Sequence, residues 1–152
     1  MSFGYKVLGF GSGGGPRFVT ATGGTPCAGA ISGDYKIHTF TGPGAFCVSS
    51  GGNAAGSNTV DYLVIAGGGG TSSADGGGAG AGGYRESPGT TAGSYTVSPL
   101  GVAPAAAVAV SASPGSYPVI VGGGGTAGTY YGGGGTPGCT SSALCISSRT
   151  LL

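Results

Sequence analysis

Residues 64–71 read Val-Ile-Ala-Gly-Gly-Gly-Gly-Thr, an apolar run that passes directly into four glycines. Residues 119–126 repeat the pattern as Val-Ile-Val-Gly-Gly-Gly-Gly-Thr, and a third glycine quartet at 132–135 is again followed by threonine. Branched apolar residues favour strands, whereas glycine weakens them. Because the spacing is irregular, the pattern is not a solenoid repeat. It predicts strands that end in glycine-rich loops, and we expect these loops to leave one end of the domain together.

Polyglycine that is ordered needs close neighbours. Glycine loses more backbone freedom on folding than any other residue, and it has no side chain to bury. It is suited to places where backbones approach each other closely, as in collagen. The neighbours that hydrogen-bond its backbone could be other loops of this chain or other subunits. For residues 76–83 a flexible surface loop is the alternative.

Short strand signals recur along the whole chain, bounded by Gly, Pro, Asn or Ser. Strands are predicted at 5–10, 17–21, 35–41, 45–49, 59–66, 94–100, 106–111 and 117–121, with weaker ones at 129–131 and 143–147. Gly42-Pro43-Gly44 is typical of a tight hairpin turn between two of them. Helix signals are nearly absent. The predicted fold class is all-β, a β-sandwich or jelly-roll-like domain with glycine-rich loops gathered at one end.

The composition indicates a protein that packs against neighbours. Of the 152 residues 39 are glycine, and only 6% are charged, against about 25% in an average protein. Disorder is disfavoured because 39% of residues are hydrophobic, in clusters, and the net charge is only +1. A surface with so few charges is poorly protected against association. We therefore expect one domain over 1–152 that is built for assembly; a secreted low-charge domain is the alternative.

Two classes of partner are not expected. The five basic residues are scattered and form no patch, so nucleic acid is not a predicted partner. The most apolar stretch, 101–110, is too short for a membrane span and contains Pro104. The first residues lack the apolar region of a signal peptide, so we expect the chain to be made and kept in a cytosol.

No constellation of residues predicts an enzyme. Gly9–Gly14 matches G-x-G-x-x-G, but β-type residues follow where a dinucleotide site needs a helix, so no cofactor is expected. His38 is the only histidine, in a strand pattern that makes it a surface or interface residue. The acids are isolated from one another, which disfavours paired-carboxylate chemistry and calcium. We predict no catalytic, cofactor-binding or metal-binding residue.

Four cysteines are present, and their spacing does not favour zinc. They are Cys27, Cys47, Cys139 and Cys145, and no two are within four residues of each other. Reduced, partly buried thiols are expected in a cytosolic product, and a disulfide formed after release from the cell is the alternative.

Most tyrosines and phenylalanines fall in predicted strands, where packing is their default role. Tyr130 and Tyr131 lie instead between glycine-rich loops. Exposed tyrosines on loop tips suit the recognition of sugars or proteins. This pair is therefore the candidate receptor or partner contact, with packing as the alternative.

Several separated motifs together resemble the glycine-rich domain of tailed-phage virion proteins, which occurs in tail fibres, adhesins and other structural components. The motifs occur in order over roughly residues 20–135. They are Gly33-Asp34-Tyr35-Lys36-Ile37-His38-Thr39-Phe40-Thr41, Ala45-Phe46-Cys47-Val48, residues 53–66 with the glycine run, residues 78–85 and Ser116-Tyr117-Pro118-Val119-Ile120-Val121.

The resemblance implies a virion structural protein, assembled in the host cytoplasm, whose partners are other virion proteins and further copies of itself. A trimer would fit. The chain lacks the long shaft and attachment domain of a fibre, which favours a capsid decoration or cement protein. A tail-fibre or tail-tip adhesin that binds a host receptor is the alternative. Residues 1–20 and 139–152 lie outside the resemblance, and we expect them to act as contact arms.

Overall fold

A computed structural model of the chain describes residues 14–72, 77–87, 106–129 and 133–147. Within these ranges the regular elements are all β-strands, so the all-β prediction is confirmed. In chain order they are β1 (Val19–Thr22), β2 (Ala30–Ser32), β3 (Tyr35–Ile37), β4 (Gly44–Gly51), β5 (Thr59–Val60), β6 (Leu63–Ile65), β7 (Tyr84–Glu86), β8 (Val108–Ala109), β9 (Ser116–Val119), β10 (Ser142–Ala143) and β11 (Ile146–Ser147). None of the described ranges holds a helix with the length and hydropathy to cross a membrane.

The largest sheet has three antiparallel strands in the order β1-β4-β9. The long strand β4 lies in the middle and pairs Cys47 with Thr22 on one side and with Ser116 on the other. The register shifts between Thr20 and Ala21, as at a β-bulge. Four two-stranded sheets complete the described strands: β2-β3, β5-β8, β6-β7 and β10-β11.

Within the described ranges, a buried apolar cluster lies on one face of the three-stranded sheet. Its buried members are Ala21, Val48, Val110 and Leu144. Val48 is buried while its neighbours Cys47 and Ser49 are exposed, which is the alternation expected of a strand with one face in the core. Partly buried side chains pack around these four: Val19, Phe46, Val60, Tyr62, Val108 and Tyr117.

The hairpin turn predicted at Gly42-Pro43-Gly44 is wrong, because β3 does not pair with β4. Instead β3 pairs with β2, with Ser32 opposite Tyr35 across the two-residue connection Gly33-Asp34. Gly33 has a φ of 57°, as required at the first central position of a type II′ turn. β2 has only three residues, too few to show an alternating pattern, and was not predicted.

The predicted strand at 59–66 forms two strands with different partners, since β5 pairs with β8 and β6 pairs with β7. Asp61 and Tyr62 lie between them and contact Ser87 instead. The Ser87 hydroxyl donates to Asp61 Oδ1 at 2.7 Å and accepts from Tyr62 N at 3.0 Å. A pattern of apolar residues gives no sign of such a side-chain connection, so β7 and the break in the strand were not predicted.

The predicted strand at 143–147 forms the hairpin β10-β11, which turns at Leu144 and Cys145. The predicted strands at 17–21, 45–49, 106–111 and 117–121 correspond to β1, β4, β8 and β9 with shifted ends. Those at 5–10 and 94–100, and residues 130–131 of another, lie outside the described residues. The arrangement of the sheets as a sandwich or jelly roll stays a prediction.

Candidate functional site

Much of the described chain outside the strands is a cluster of four extended, glycine-rich segments, here called the polyglycine cluster. The first glycine segment is 66–71, the second 80–83, the third 122–128 and the fourth 135–139. The first continues β6 and the third follows β9, while the second leads into β7 and the fourth leads towards β10. The strands therefore fix where each glycine segment begins or ends.

The first glycine segment is hydrogen-bonded to all three others. It meets the second through Ala66 N to Gly83 O at 2.7 Å and Gly69 N to Gly80 O at 2.9 Å. The residue numbers of the donors rise from 66 to 69 while those of the acceptors fall from 83 to 80, so these two segments are antiparallel. Both partners advance by three residues between the two bonds, which is the repeat of a polyproline II helix.

The third glycine segment runs parallel to the first. Gly125 N donates to Gly68 O and Gly128 N donates to Thr71 O, both at 2.8 Å. The step is again three residues on each side. The parallel direction brings Thr71 and Gly128 to the same end of the polyglycine cluster.

The fourth glycine segment closes the polyglycine cluster by bonding to both the first and the third. Gly67 N donates to Cys139 O at 3.1 Å and Gly70 N donates to Thr136 O at 2.8 Å. Towards the third segment, Thr136 N donates to Thr126 O at 2.9 Å and Cys139 N to Gly123 O at 2.8 Å. Ordered polyglycine was expected to need neighbours, and here these are other glycine segments of the same chain.

Glycine is required at the inward positions of this cluster. A Cβ added to Gly125 would lie 1.9 Å from Thr136 O, and one added to Gly70 would lie 2.0 Å from Thr126 O. Such distances leave no room for any side chain. The same steric limit, at 2.2 Å or less from a neighbouring carbonyl oxygen, applies to Gly67, Gly82, Gly122, Gly128, Gly135 and Gly138.

Burial in the third glycine segment follows the same three-residue period. Gly122, Gly125 and Gly128 are half-buried, whereas the residues between them are exposed. Outward glycines such as Gly123 have nothing within 4 Å of an added Cβ. The polyglycine cluster thus has an inner set of glycines fixed by contact and an outer set free of it.

Threonines that follow the glycine runs join the third and fourth segments. Thr136 Oγ1 accepts from Thr126 N at 2.8 Å and lies 3.0 Å from Thr126 Oγ1. At the other end of the third segment, the buried Ser141 hydroxyl accepts from Gly122 N at 2.9 Å. Side-chain hydroxyls therefore supply partners where the backbone bonds between segments end.

An open groove of about 710 Å³ is lined by the first, second and fourth glycine segments. More than half of its lining residues are glycines; they are 66, 67, 69, 70, 80–83 and 135–140. It offers amides and carbonyls but no titratable side chain besides the exposed thiol of Cys139.

The structure places the predicted contact residues as follows. Tyr130 and Tyr131 lie outside the described residues. The described part of the first contact arm is held to the body by Asn53, whose Oδ1 accepts from Arg17 N at 3.0 Å and whose Nδ2 donates to Gly15 O at 3.0 Å. The described part of the second arm supplies the end of the fourth glycine segment and the β10-β11 hairpin.

The polar residues that were candidates for catalysis or metal binding make contacts that fit a structural role. His38 Nδ1 lies 2.8 Å from Gly23 O, which requires the proton on that nitrogen. The rings of His38 and Phe46 are nearly perpendicular, with their centroids 5.2 Å apart. The buried Glu86 accepts from the Tyr84 hydroxyl at 2.6 Å. Within the described ranges no group of three or more His, Cys, Asp or Glu side chains could hold a metal ion.

The expectation of partly buried cysteines is wrong, since all four thiols are exposed and none is bridged to another. Cys27 and Cys145 lie in turns, Cys47 lies in β4, and Cys139 ends the fourth glycine segment. Among the described residues few side chains are buried, so these parts of the fold offer little interior for a thiol.

Comparison with models of protein families, with curated proteins and with solved structures finds no match to this chain. The resemblance to the phage glycine-rich domain therefore rests on its sequence motifs alone.

Proposed function

We propose that this chain is a structural protein of a tailed-phage virion, a decoration or cement protein that coats the capsid. One observation carries the proposal: large apolar side chains are exposed in groups on the β2-β3 hairpin and on the outer face of β6, in a molecule that has few charges to keep it apart from others. Exposed apolar surface of this kind marks sites of protein contact. The exposed fractions are 80% for Ile31, 64% for Phe18, 57% for Leu63, 54% for Ile65 and Ile120, 49% for Ile37 and 40% for Tyr35.

These residues occupy positions suited to contact. Phe18 lies within the first contact arm, which Asn53 holds in place. Leu63 and Ile65 share the outer face of β6, because Val64 between them is buried. An arm and a flat strand face are surfaces on which a capsid subunit could pack.

The finer architecture belongs to the same proposal. Ala21 and Val48 extend into the core from β1 and β4, and Val110 and Leu144 meet them there from outside the three-stranded sheet. Val60 and Val108, which are paired neighbours in β5-β8, pack against this core. Two layers with a shared core support a sandwich or jelly-roll-like arrangement.

In this function the polyglycine cluster is a stiff spacer. Backbone hydrogen bonds connect its segments in two directions rather than along a single ladder. Such a cluster resists bending without a large apolar core, and it holds β6, β7 and β9 at fixed positions for contact with the particle.

A tail-tip adhesin is the second candidate, favoured by the parallel direction of the first and third glycine segments. Thr71 and Gly128 are hydrogen-bonded at one end of the polyglycine cluster. Tyr130 and Tyr131, the predicted receptor contact, follow Gly128 by only a few residues. A contact site at one end of a stiff cluster would suit the recognition of a host surface.

The copy number of the chain in purified particles distinguishes the candidates. We would measure it by quantitative mass spectrometry against the major capsid protein. A ratio close to unity, or a simple fraction of it, is expected for a decoration protein. A few copies per particle would favour the adhesin, and absence from washed particles would overturn both.

A further inference from the structure

The second glycine segment is an edge of the polyglycine cluster. Among the described residues it is bonded to the first segment alone, through Gly80 O and Gly83 O, whereas the third and fourth segments each bond to two others. The amides of Ala81 and Gly82 donate to no backbone carbonyl within the described ranges. An edge with open amides is a template for another extended backbone, as it is in a β-sheet.

The groove of about 710 Å³ lies beside this edge, since the second segment forms part of its lining together with the first and the fourth. Its described lining residues are all Gly, Ala, Thr, Pro or Cys. Pockets for small molecules are lined mostly by apolar and aromatic side chains, with a few polar groups that fix the ligand. This groove offers backbone amides and carbonyls instead, and the ligand that matches them is another polypeptide backbone.

The chain has an exposed segment of that chemistry. Residues 77–80, Gly77-Gly78-Ala79-Gly80, lead into the second segment, and all four are exposed. A Cβ added to any of the three glycines would have nothing within 4 Å. No glycine between 77 and 83 has a positive φ, as a polyproline II helix requires. Four residues in that helix span about 12 Å, and the groove wall at 135–140 is two residues longer.

Residues 77–83 are complementary to themselves. In two copies related by a two-fold axis at Gly80, the second segments run antiparallel, and Gly77 of each copy faces Gly83 of the other. Residues 77–80 of each copy then lie along residues 80–83 of the other, in its groove. Such an isologous contact satisfies both copies at once. The bound segment runs antiparallel to the second segment and parallel to the first, and the polyglycine cluster already contains both directions.

We propose that two copies of this chain associate through their second glycine segments, with residues 77–80 of each copy bound in the groove of the other. The inference rests on the proposed function, for which it names the surface that joins copies. The contact joins copies in pairs and is separate from any three-fold contact in a trimer. With a net charge of +1 the two molecules hardly repel each other as a whole.

A side chain at Gly80 tests the contact. Gly80 lines the groove, and an added Cβ has open space in the single chain, so Gly80→Leu should fold. In the pair the leucine would stand between two backbones, so we expect self-association to weaken by about tenfold or more. Sedimentation velocity of the purified protein over a concentration series measures the dissociation constant, and circular dichroism checks that the variant is folded.

The matched control is Gly123→Leu in the third glycine segment. Gly123 is also exposed, also has nothing within 4 Å of an added Cβ, and its carbonyl also accepts one bond from another segment. Self-association should be unchanged in this variant. A wild-type protein that stays monomeric at every concentration overturns the proposal, and so does a Gly80→Leu variant that associates as well as Gly123→Leu.

Hydrogen exchange of the wild-type protein gives a second measurement that needs no variant. As concentration rises through the dissociation constant, the amides of Ala81 and Gly82 should exchange about fivefold more slowly, while the amide of Gly124 should not change. Association without this local protection would place the contact elsewhere and overturn the proposal. A monomeric protein that is abundant in virions would overturn the groove contact and leave the proposed function intact. A dimer with the expected protection that is absent from virions would do the reverse.

Discussion

At the scale of single residues, the same amino acid has two different roles in this chain. Inward glycines such as Gly125 are fixed by contact with the carbonyl of a neighbouring segment. Outward glycines such as Gly123 have open space around the missing Cβ, and neither residue has a positive φ. A count of glycines in the sequence cannot separate these roles, since both occur within one run of four.

Alanine substitution should separate them. Gly125→Ala places a methyl 1.9 Å from Thr136 O, and we expect it to lower the free energy of unfolding by about 2 kcal/mol or more, as overpacking does. Gly123→Ala should raise it by about 0.5 kcal/mol, because alanine reduces the freedom of the unfolded chain. Urea denaturation of both variants measures the difference. Equal effects would mean that the inward contact is not what fixes glycine.

The Thr126–Thr136 pair gives a second prediction at this scale. Thr136→Val removes the oxygen that accepts from Thr126 N at 2.8 Å, and we expect a loss of about 1 kcal/mol in the free energy of unfolding. Thr136→Ser keeps the hydroxyl and should lose clearly less. A valine variant as stable as the wild type would show that the Thr136 hydroxyl does not contribute to stability.

At the scale of elements, the sequence was informative about where strands lie and poor about their partners. The apolar runs that became β4 and β9 could be read directly, because each has an alternating or continuous apolar pattern. The pairing of β3 with β2 depends on a turn at Gly33, and the break in 59–66 depends on Ser87. Such contacts come from residues distant in sequence or from short strands without a pattern.

The polyglycine cluster did have a sequence signal that was not used. Inward glycines recur every three residues, at 67 and 70, at 122, 125 and 128, and at 135 and 138. Three is the repeat of the polyproline II helix. Within runs of four glycines this period is hidden, and only Gly128 and Gly138, which have other residue types on both sides, reveal it.

The β10-β11 hairpin leads to a prediction at the element scale. Its turn residues Leu144 and Cys145 have φ values of 52° and 63°, a region that favours glycine or asparagine. Because Cys145 is exposed, Cys145→Gly should relieve the backbone without loss of packing and stabilise the protein by about 0.5–1 kcal/mol. Cys145→Ala removes the thiol but keeps the strained φ, so thermal denaturation should show no such gain for it.

The first contact arm gives a second prediction at the element scale. Asn53 holds residues 15–17 through both atoms of its amide. Asn53→Ala removes these two bonds, while the main-chain bonds from Asn53 N and Ser57 N to Arg17 O remain. The amide of Arg17, which loses its acceptor, should therefore exchange with deuterium about tenfold faster. Asn53→Asp keeps an acceptor for Arg17 N and should show a smaller change. Unaltered exchange in the alanine variant would show that the arm is held by something else.

At the scale of the whole molecule, backbone hydrogen bonds replace much of the apolar core. Among the described residues the buried core cluster has four members, two of them valines, whereas the polyglycine cluster is stabilised by bonds between segments far apart in sequence. Each glycine segment is also continuous with a strand or leads to one. We expect neither part to be stably folded by itself, because the sheets bury few side chains and the glycine segments have no side chains to bury.

Sheet and cluster should therefore unfold as one cooperative unit. We expect the amides of Gly70, Gly125 and Thr136, which donate between glycine segments, to be protected from hydrogen exchange to nearly the same degree as the amides of β4. In Gly125→Ala both groups should lose protection together, because the steric change acts on the unit that they share. Exchange monitored by NMR at a pH where it is slow would measure both groups in one sample. Rapid exchange in the glycine segments beside a protected β4 would show instead that the sheet folds alone and that the glycine segments are loops attached to it.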